Sequence, residues 1–226
     1  MNNLPEHINT ALVVGLGSIG KSHIKILKEI YPEIKIIVLR HKDRSSNLVQ
    51  VDKTVNNLKD ALNHNPEIAL ICNPSSKHLE VAIPLVESGI HLLIEKPISS
   101  NSENVNKLIT LSKKSNSKIL VGYNLKFLDS LNTFKKEIKK GSIGEVLSIR
   151  AEVGQHLGSW RTDKNYLNSV SAKKELGGGV LLELSHEFDY LKWIFGQIKW
   201  VFGYTTKISS LEVDVEDLSH SLICFK

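Results

Sequence analysis

Only two cysteines, one methionine and six prolines occur in the 226-residue sequence, and 6% of it is aromatic. Cys72 and Cys224 lie far apart and form no C-x-x-C, so neither a disulfide framework nor a structural zinc site is supported and both thiols read as core filler. No apolar run approaches the roughly 18–20 residues needed to cross a bilayer. Residues 1–10 lack the charged-then-apolar order of a signal peptide, so the expectation is a soluble, cytoplasmic protein with no membrane partner. A composition 41% apolar and 23% charged excludes disorder and fibre and leaves enough chain for one large or two modest domains. The basic excess is mild, 29 Lys and Arg against 24 Asp and Glu. Groups such as Lys135, Lys136, Lys139 and Lys140 have the spacing of a solvated helix face, so nucleic acid is not expected as a partner. A small surplus of cations equally suits an anionic cofactor or substrate.

What is present first is alternation. Apolar strands at Ala11–Val14, Ile36–Leu39, Ile68–Cys72, Ile90–Ile94 and Ile119–Val121 are separated by helical patterns. Ile24, Leu27 and Ile30 mark the first helix, Ser75 caps a helix ending at Gly89, and Ser99 or Ser100 caps one running through Leu108 and Leu111. Strands regularly interrupted by helices imply a doubly wound parallel sheet. After Gly122 the texture changes: every proline is behind, and strands become longer and more alternating. The expected division is residues 1–122 and 123–226. In the second part Leu125–Lys140 and Val180–Phe195 read as helices, Glu145–Val153, Lys199–Thr206 and Leu218–Phe225 as strands, and Gln155–Leu176 as a long polar loop. The chain stops on an apolar strand without a closing helix, so this part is expected to be incomplete.

Gly15-Leu16-Gly17-Ser18-Ile19-Gly20 follows the first strand directly and opens the first helix, the context that makes G-x-G-x-x-G meaningful. Gly15 permits the tight turn, Gly17 lets backbone N–H groups at the helix N-terminus, with those of Ser18 and Ile19, approach a pyrophosphate, and Gly20 lets helix pack on strand. The bland alternative is a glycine turn with no ligand. An acidic residue about 20 positions further would bind a ribose 2′-hydroxyl and favour NAD. Arg40 stands there instead, with Arg44 and Ser45 as further donors, so NADP is favoured over NAD. The competing reading has Arg40 stacking on the adenine. At the fourth expected strand's carboxyl end comes Glu95-Lys96-Pro97, where open α/β sheets bind their ligands, with lysine before a possible cis-proline.

With the glycine motif running on to Lys21-Ser22-His23, then Asn73-Pro74 with His78, Glu95-Lys96-Pro97, Gly122-Tyr123-Asn124 and Gly177-Gly178-Gly179, the chain resembles the Gfo/Idh/MocA oxidoreductases over nearly its whole length. The resemblance implies an α/β protein: an N-terminal Rossmann domain, and a C-terminal α/β domain whose open, mostly antiparallel sheet carries a substrate face and an oligomer interface. It also implies hydride transfer between NAD(P) and a sugar or cyclitol hydroxyl. By position, Lys96 would be the catalytic lysine that polarises the substrate oxygen, Glu95 would orient it beside the nicotinamide, and Asn73, Pro74 and His78 would line the nicotinamide side.

On the expected helix after the triple glycine, Leu181, Leu184, Phe188, Leu191 and Phe195 form an apolar stripe opposite Glu183, His186, Glu187 and Tyr190. His186 is the candidate general acid/base, since an imidazole titrates near neutrality; the alternative is a surface histidine bonded to a neighbouring glutamate. The family pattern here is Asp-x-x-x-His, whereas this chain has Glu183-Leu184-Ser185-His186, which leaves the role of Glu183 open. Lys126 likewise stands where arginine is common, losing a bidentate donor. Ser171–Leu176 and Ser185–Tyr190 look like a branch associated with bacterial surface-glycan sugars. In that branch Gln155, His156, Trp160, Arg161 and Tyr166 would meet a sugar or nucleotide sugar, and the resemblance adds Asn124 as a substrate residue. The rival expectation is a catalytically idle nucleotide-binding or interaction protein, since family members are longer and Leu218–Phe225 would leave a strand edge free to pair.

Overall fold

A computed structural model of the chain describes residues 7–40, 50–160 and 165–226. The chain divides into two compact units, Met1–Gly122 and Tyr123–Lys226.

The first unit is a six-stranded parallel sheet in the order β3-β2-β1-β4-β5-β6. Its strands are β1 (Thr10–Val14), β2 (Lys35–Leu39), β3 (Lys53–Val55), β4 (Ile68–Ile71), β5 (His91–Ile94) and β6 (Ile119–Val121). The central strands are continuous apolar runs, as helices on both faces demand. Leu12, Ile37, Ala69, Ile71 and Ile94 form one fully buried cluster, and Ala11, Val13, Ile36 and Val38 point into another. Around the sheet lie α1 (Ser18–Ile30), α2 (Leu58–Leu62), α3 (His78–Glu87) and α4 (Val105–Ser115).

Several local expectations change. The buried stripe of α1 is Gly20, Ile24 and Leu27, while Ile30 is 60% exposed, because at about 100° per residue it has rotated off the face that Gly20 and Ile24 share. Ser75 opens a 3₁₀ turn rather than capping α3, and α4 starts at Val105 after Asn104 in a left-handed conformation, so neither Ser99 nor Ser100 caps it. β3 and α2 were outside the expected elements. A three-residue strand leaves too short a pattern to read, although Asn57 accepting from the Asp60 N–H at 2.9 Å is a legible N-cap signal.

The second unit contains α5 (Asp129–Lys140), α6 (Leu157–Trp160), α7 (Val180–Glu183), α8 (His186–Phe195) and an antiparallel pair, β7 (Ile198–Thr206) with β8 (Leu218–Phe225). Leu125–Lys140 is not one helix: Asn124–Phe127 is a 3₁₀ turn, Leu128 is extended, and α5 runs from Asp129 to the left-handed Gly141. Residues 145–153 form no strand among the described residues. An extended segment becomes a strand only with a hydrogen-bonded partner, and β7 and β8 pair with each other. The expected loop 155–176 folds locally instead, through α6 and three 3₁₀ turns at Tyr166–Asn168, Val170–Ala172 and Lys174–Leu176. The expected helix 180–195 is broken at Leu184, whose φ of −101° and ψ of 29° end α7 before α8 begins.

Candidate functional site

Parallel register aligns the carboxyl ends of the first unit's strands. Val14 pairs with Leu39 and Ile71, Ile71 with Ile94, and Ile94 with Val121. The ladder continues one residue further, as Gly15 N–H donates to Leu39, Cys72 to Val14, Glu95 to Ile71 and Gly122 to Ile94. Gly15, Arg40, Cys72-Asn73, Glu95-Lys96 and Gly122 therefore line one edge of the sheet, and the strand order reverses between β1 and β4 at its centre. That reversal is where doubly wound sheets take nucleotides.

Three glycines of the loop differ in why they are glycine. Gly15 has φ +90° and its missing Cβ would press on the Asn73 backbone at 3.0 Å. Gly20 is closed by the protein itself, since a Cβ would come 2.3 Å from the Gly15 carbonyl oxygen. Gly17 has neither reason: φ is −74°, and a Cβ would meet nothing within 4 Å. It caps α1 with no side-chain hydrogen bond and no acidic residue in the first turn, while Ser18 and Ile19 are exposed beside it. A glycine that internal packing does not require, at an uncapped helix N-terminus, fits an anionic group brought close from outside. Buried Asn73 Oδ1, two residues past the end of β4, has no hydrogen-bond partner among the described residues and is an acceptor left unused by the protein. The residues present thus fit a dinucleotide. Arg40 ends β2, its N–H donating to Val55; Arg44 and Ser45 lie outside the described residues.

The Glu95-Lys96-Pro97 turn has a cis peptide at Pro97 and is braced by two histidines. His78 is only 1% exposed, and its ring nitrogens contact the Pro97 carbonyl at 3.0 Å and the Asn73 carbonyl at 2.8 Å. Burial pushes its pKa below the ordinary imidazole value, so the ring is neutral at pH 7 and donates to one carbonyl at a time. With almost no surface of its own, His78 packs between the Asn73 and Pro97 carbonyls. Glu95 is also engaged inward, its Oε1 2.7 Å from His23 Nε2 and its Oε2 accepting the Lys96 N–H at 3.3 Å. His23 had no role in the sequence reading beyond ending the glycine motif. Cys72 lies beneath the loop, 3.6 Å from where a Gly20 Cβ would be, and burial followed by the Glu95 charge pushes its thiol up to about 12.

In the second unit Glu183 and His186 do not share a helix. Glu183 ends α7 and accepts from the Ser171 hydroxyl at 3.1 Å, while His186 opens α8. The break at Leu184 removes the common face that a three-residue spacing would create. Tyr123, which the sequence reading missed as a site residue, meets His186 edge-on with ring centroids 5.5 Å apart and donates to Ser185 Oγ at 3.3 Å. Lys126 pairs with Asp189 at 2.8 Å, so its charge is used within the unit. Asn124 and Gln155 are exposed. Trp160 and Tyr166 line one cavity of about 330 Å³, and Gln155, Trp160 and Glu183 line a neighbouring one of about 250 Å³; Arg161 lies outside the described residues. Four of the sugar-loop candidates, Gln155, His156, Trp160 and Tyr166, and Glu183 thus line adjoining hollows of the second unit, while Lys96 belongs to the first unit.

A doubly wound sheet with this loop at its switch point defines a dinucleotide-binding class of fold. The model of the oxidoreductase family with an NAD-binding Rossmann fold matches residues 9–123, and that of the GFO/IDH/MocA C-terminal domain matches 131–226. The chain belongs to the Gfo/Idh/MocA oxidoreductase family. It is 29% identical over 198 residues to an uncharacterized oxidoreductase of Synechocystis, covering 83% of this chain and 51% of that one. It is 25% identical over 191 residues to myo-inositol 2-dehydrogenase of Thermotoga maritima, with 82% and 54% covered. Among solved structures, WlbA dehydrogenase from Bordetella pertussis, in complex with NADH and UDP-GlcNAcA, superposes with a TM-score of 0.83 at 19% identity, covering 99% of this chain and 65% of that one. The chain spans about half the length of the curated relatives it matches. No helix among the described residues is long and apolar enough to cross a membrane.

Proposed function

We propose that the protein transfers a hydride between NAD(P) and a hydroxyl or carbonyl of a sugar or sugar derivative. The observation that carries this is Gly17, a glycine without an internal reason at the N-terminus of α1. The activities in the names of its relatives, acting on inositols or binding a nucleotide sugar, support a polyhydroxylated ring as substrate.

Gly15, Gly17, Ser18, Ile19 and Gly20 would hold the pyrophosphate, Arg40 a 2′-phosphate, and Asn73, Pro74 and Glu95 would border the nicotinamide. Bound, the nicotinamide supplies the hydride acceptor or donor. Lys96 then stabilises the negative charge developing on the substrate oxygen, His186 takes the hydroxyl proton, and Glu183 orients the ring. Asn124, Gln155, Trp160, Arg161 and Tyr166 contact the sugar. The exposed face of β7–β8, with Trp200, Phe202, Tyr204 and Leu222, supports a homo-oligomer through that sheet.

The test is a titration with NADPH and NADH, followed by turnover on inositol and nucleotide-sugar panels. NADPH should bind more tightly, Arg40→Asp should reverse the order, and Lys96→Ala or His186→Ala should lower kcat by roughly 10²–10⁴-fold with dinucleotide affinity kept. Dinucleotide binding without any turnover would favour an idle nucleotide-binding protein; no binding would end the proposal.

A further inference from the structure

We propose that His23 is a positioning residue for Lys96, acting through Glu95, and that this path couples the dinucleotide loop to the lysine. The coupling half rests on the oxidoreductase reading above; the positioning half does not.

Glu95 is held on three sides by its own unit. His23 Nε2 lies 2.7 Å from Oε1, and the side chains are only 19% and 18% exposed. The Lys96 N–H reaches Oε2 at 3.3 Å. On the third side is Gly122, where a Cβ would stand 3.1 Å from Oε2, so glycine there makes room for the carboxylate. A glutamate with both oxygens occupied inward is not placed to meet a substrate; it is placed to hold the backbone that presents Lys96. By contrast, the exposed pairs Lys25–Glu29 and Lys77–Glu80 connect residues of one helical turn and fix nothing distant.

The brace begins on α1, which Gly17 caps, whose first turn includes Ser18 and Ile19 and whose second includes His23. A rigid helix transmits a shift at one turn to the next. An anion drawn onto the N-terminus of α1 is therefore tied, through His23 and Glu95, to the residue before the cis-proline. The brace through His78 reaches the same turn from the Pro97 side, starting from Asn73, against which Gly15 packs. Lys96 is the one position between these two supports.

The test is amide exchange of the Lys96 N–H by NMR on the whole chain, without ligand and then with NADH. His23→Leu should speed exchange at Lys96 by about tenfold or more while leaving Leu12 and Ile37 unchanged. His23→Gln, whose terminal N–H₂ can donate to Oε1, should restore most of the protection. A purely structural role would move the core amides as well and would not be rescued by glutamine. NADH should raise Lys96 protection in the wild type but not in His23→Leu. Unchanged Lys96 exchange in His23→Leu, or no rescue by glutamine, overturns the proposal. Should His23→Leu fail to fold, the His23 ring ¹⁵N resonances decide: Glu95→Gln should shift Nε2, and an unmoved Nε2 overturns it. Failure of NADH to bind the wild type overturns the oxidoreductase reading and the coupling half with it, while the ligand-free comparison still judges His23.

Discussion

The two units spend their apolar residues differently. In the first, Leu12, Ile37, Ile71 and Ile94 have no exposed surface, because short parallel strands are covered on both faces by helices. In the second, only Ala172, Ile194 and Val215 are buried hydrophobics among the described residues, while Phe202, Leu222 and Tyr204 on one face of β7–β8 are 70%, 63% and 59% exposed. Candidate residues follow the same division. The first unit hangs Gly15, Arg40, Asn73 and Lys96 on the ends of a continuous ladder, whereas the second presents Glu183, His186 and Tyr166 from short helices and 3₁₀ turns. A ladder sets positions through backbone register, which every residue in it shares. A series of turns sets them through local contacts such as Ser171 with Glu183, one at a time.

The largest expected effect separates two glycines three residues apart. Gly20→Val should destabilise the first unit by roughly 3 kcal/mol or more, since its side chain must displace the Gly15 carbonyl. Gly17→Val should stay within about 0.5 kcal/mol of wild type yet abolish NADH binding, because a Cβ there meets nothing within 4 Å and the added bulk stands where the anion would approach. Urea unfolding and NADH fluorescence measure the two; a Gly17→Val protein that is folded and still binds breaks the distinction.

Next comes the contrast in burial. Leu12→Ala should cost about 2–5 kcal/mol, the range for a fully buried leucine, and Phe202→Ser no more than about 0.5 kcal/mol of unfolding free energy. If Phe202→Ser instead lowers the molar mass in light scattering, the exposed sheet face is an interface rather than an idle surface.

A smaller effect distinguishes the buried brace from ordinary histidines. His78 binds fewer protons folded than unfolded, because burial lowers its pKa. Its contribution is therefore fully present above about pH 6.5 and is lost as the pH falls through its lowered folded value. Urea midpoints should decline from pH 7.5 to 5, and His78→Gln should flatten that decline. Least conspicuous is Cys72: with its thiol pushed up to about 12 it should resist iodoacetamide at pH 8 until urea unfolds the chain. Rapid native labelling of Cys72 would show the loop above it to be open.

In the first unit, β1, β2, β4, β5 and β6 and the glycine loop were legible from the amino-acid order alone. An apolar run between helical patterns has one stable use, and G-x-G-x-x-G after a strand has a specific steric meaning. Residues 145–153 show the limit: Val146, Leu147 and Ile149 look like strand residues, yet a strand is a relation between two segments, and pairing was decided elsewhere. The continuous helix expected over 180–195 failed for a related reason. Periodicity ran through Leu184 unbroken, but the backbone turns there, so Glu183 was engaged by Ser171 while His186 met Tyr123. The partnership of His23 with Glu95 was likewise invisible in the chain, since the two stand 72 positions apart and meet only when α1 packs beside β5. Hydrophobic period and glycine sterics act within a few residues and can be read in one dimension. Which distant side chains close on one another depends on burial and register, and those exist only once the chain has folded.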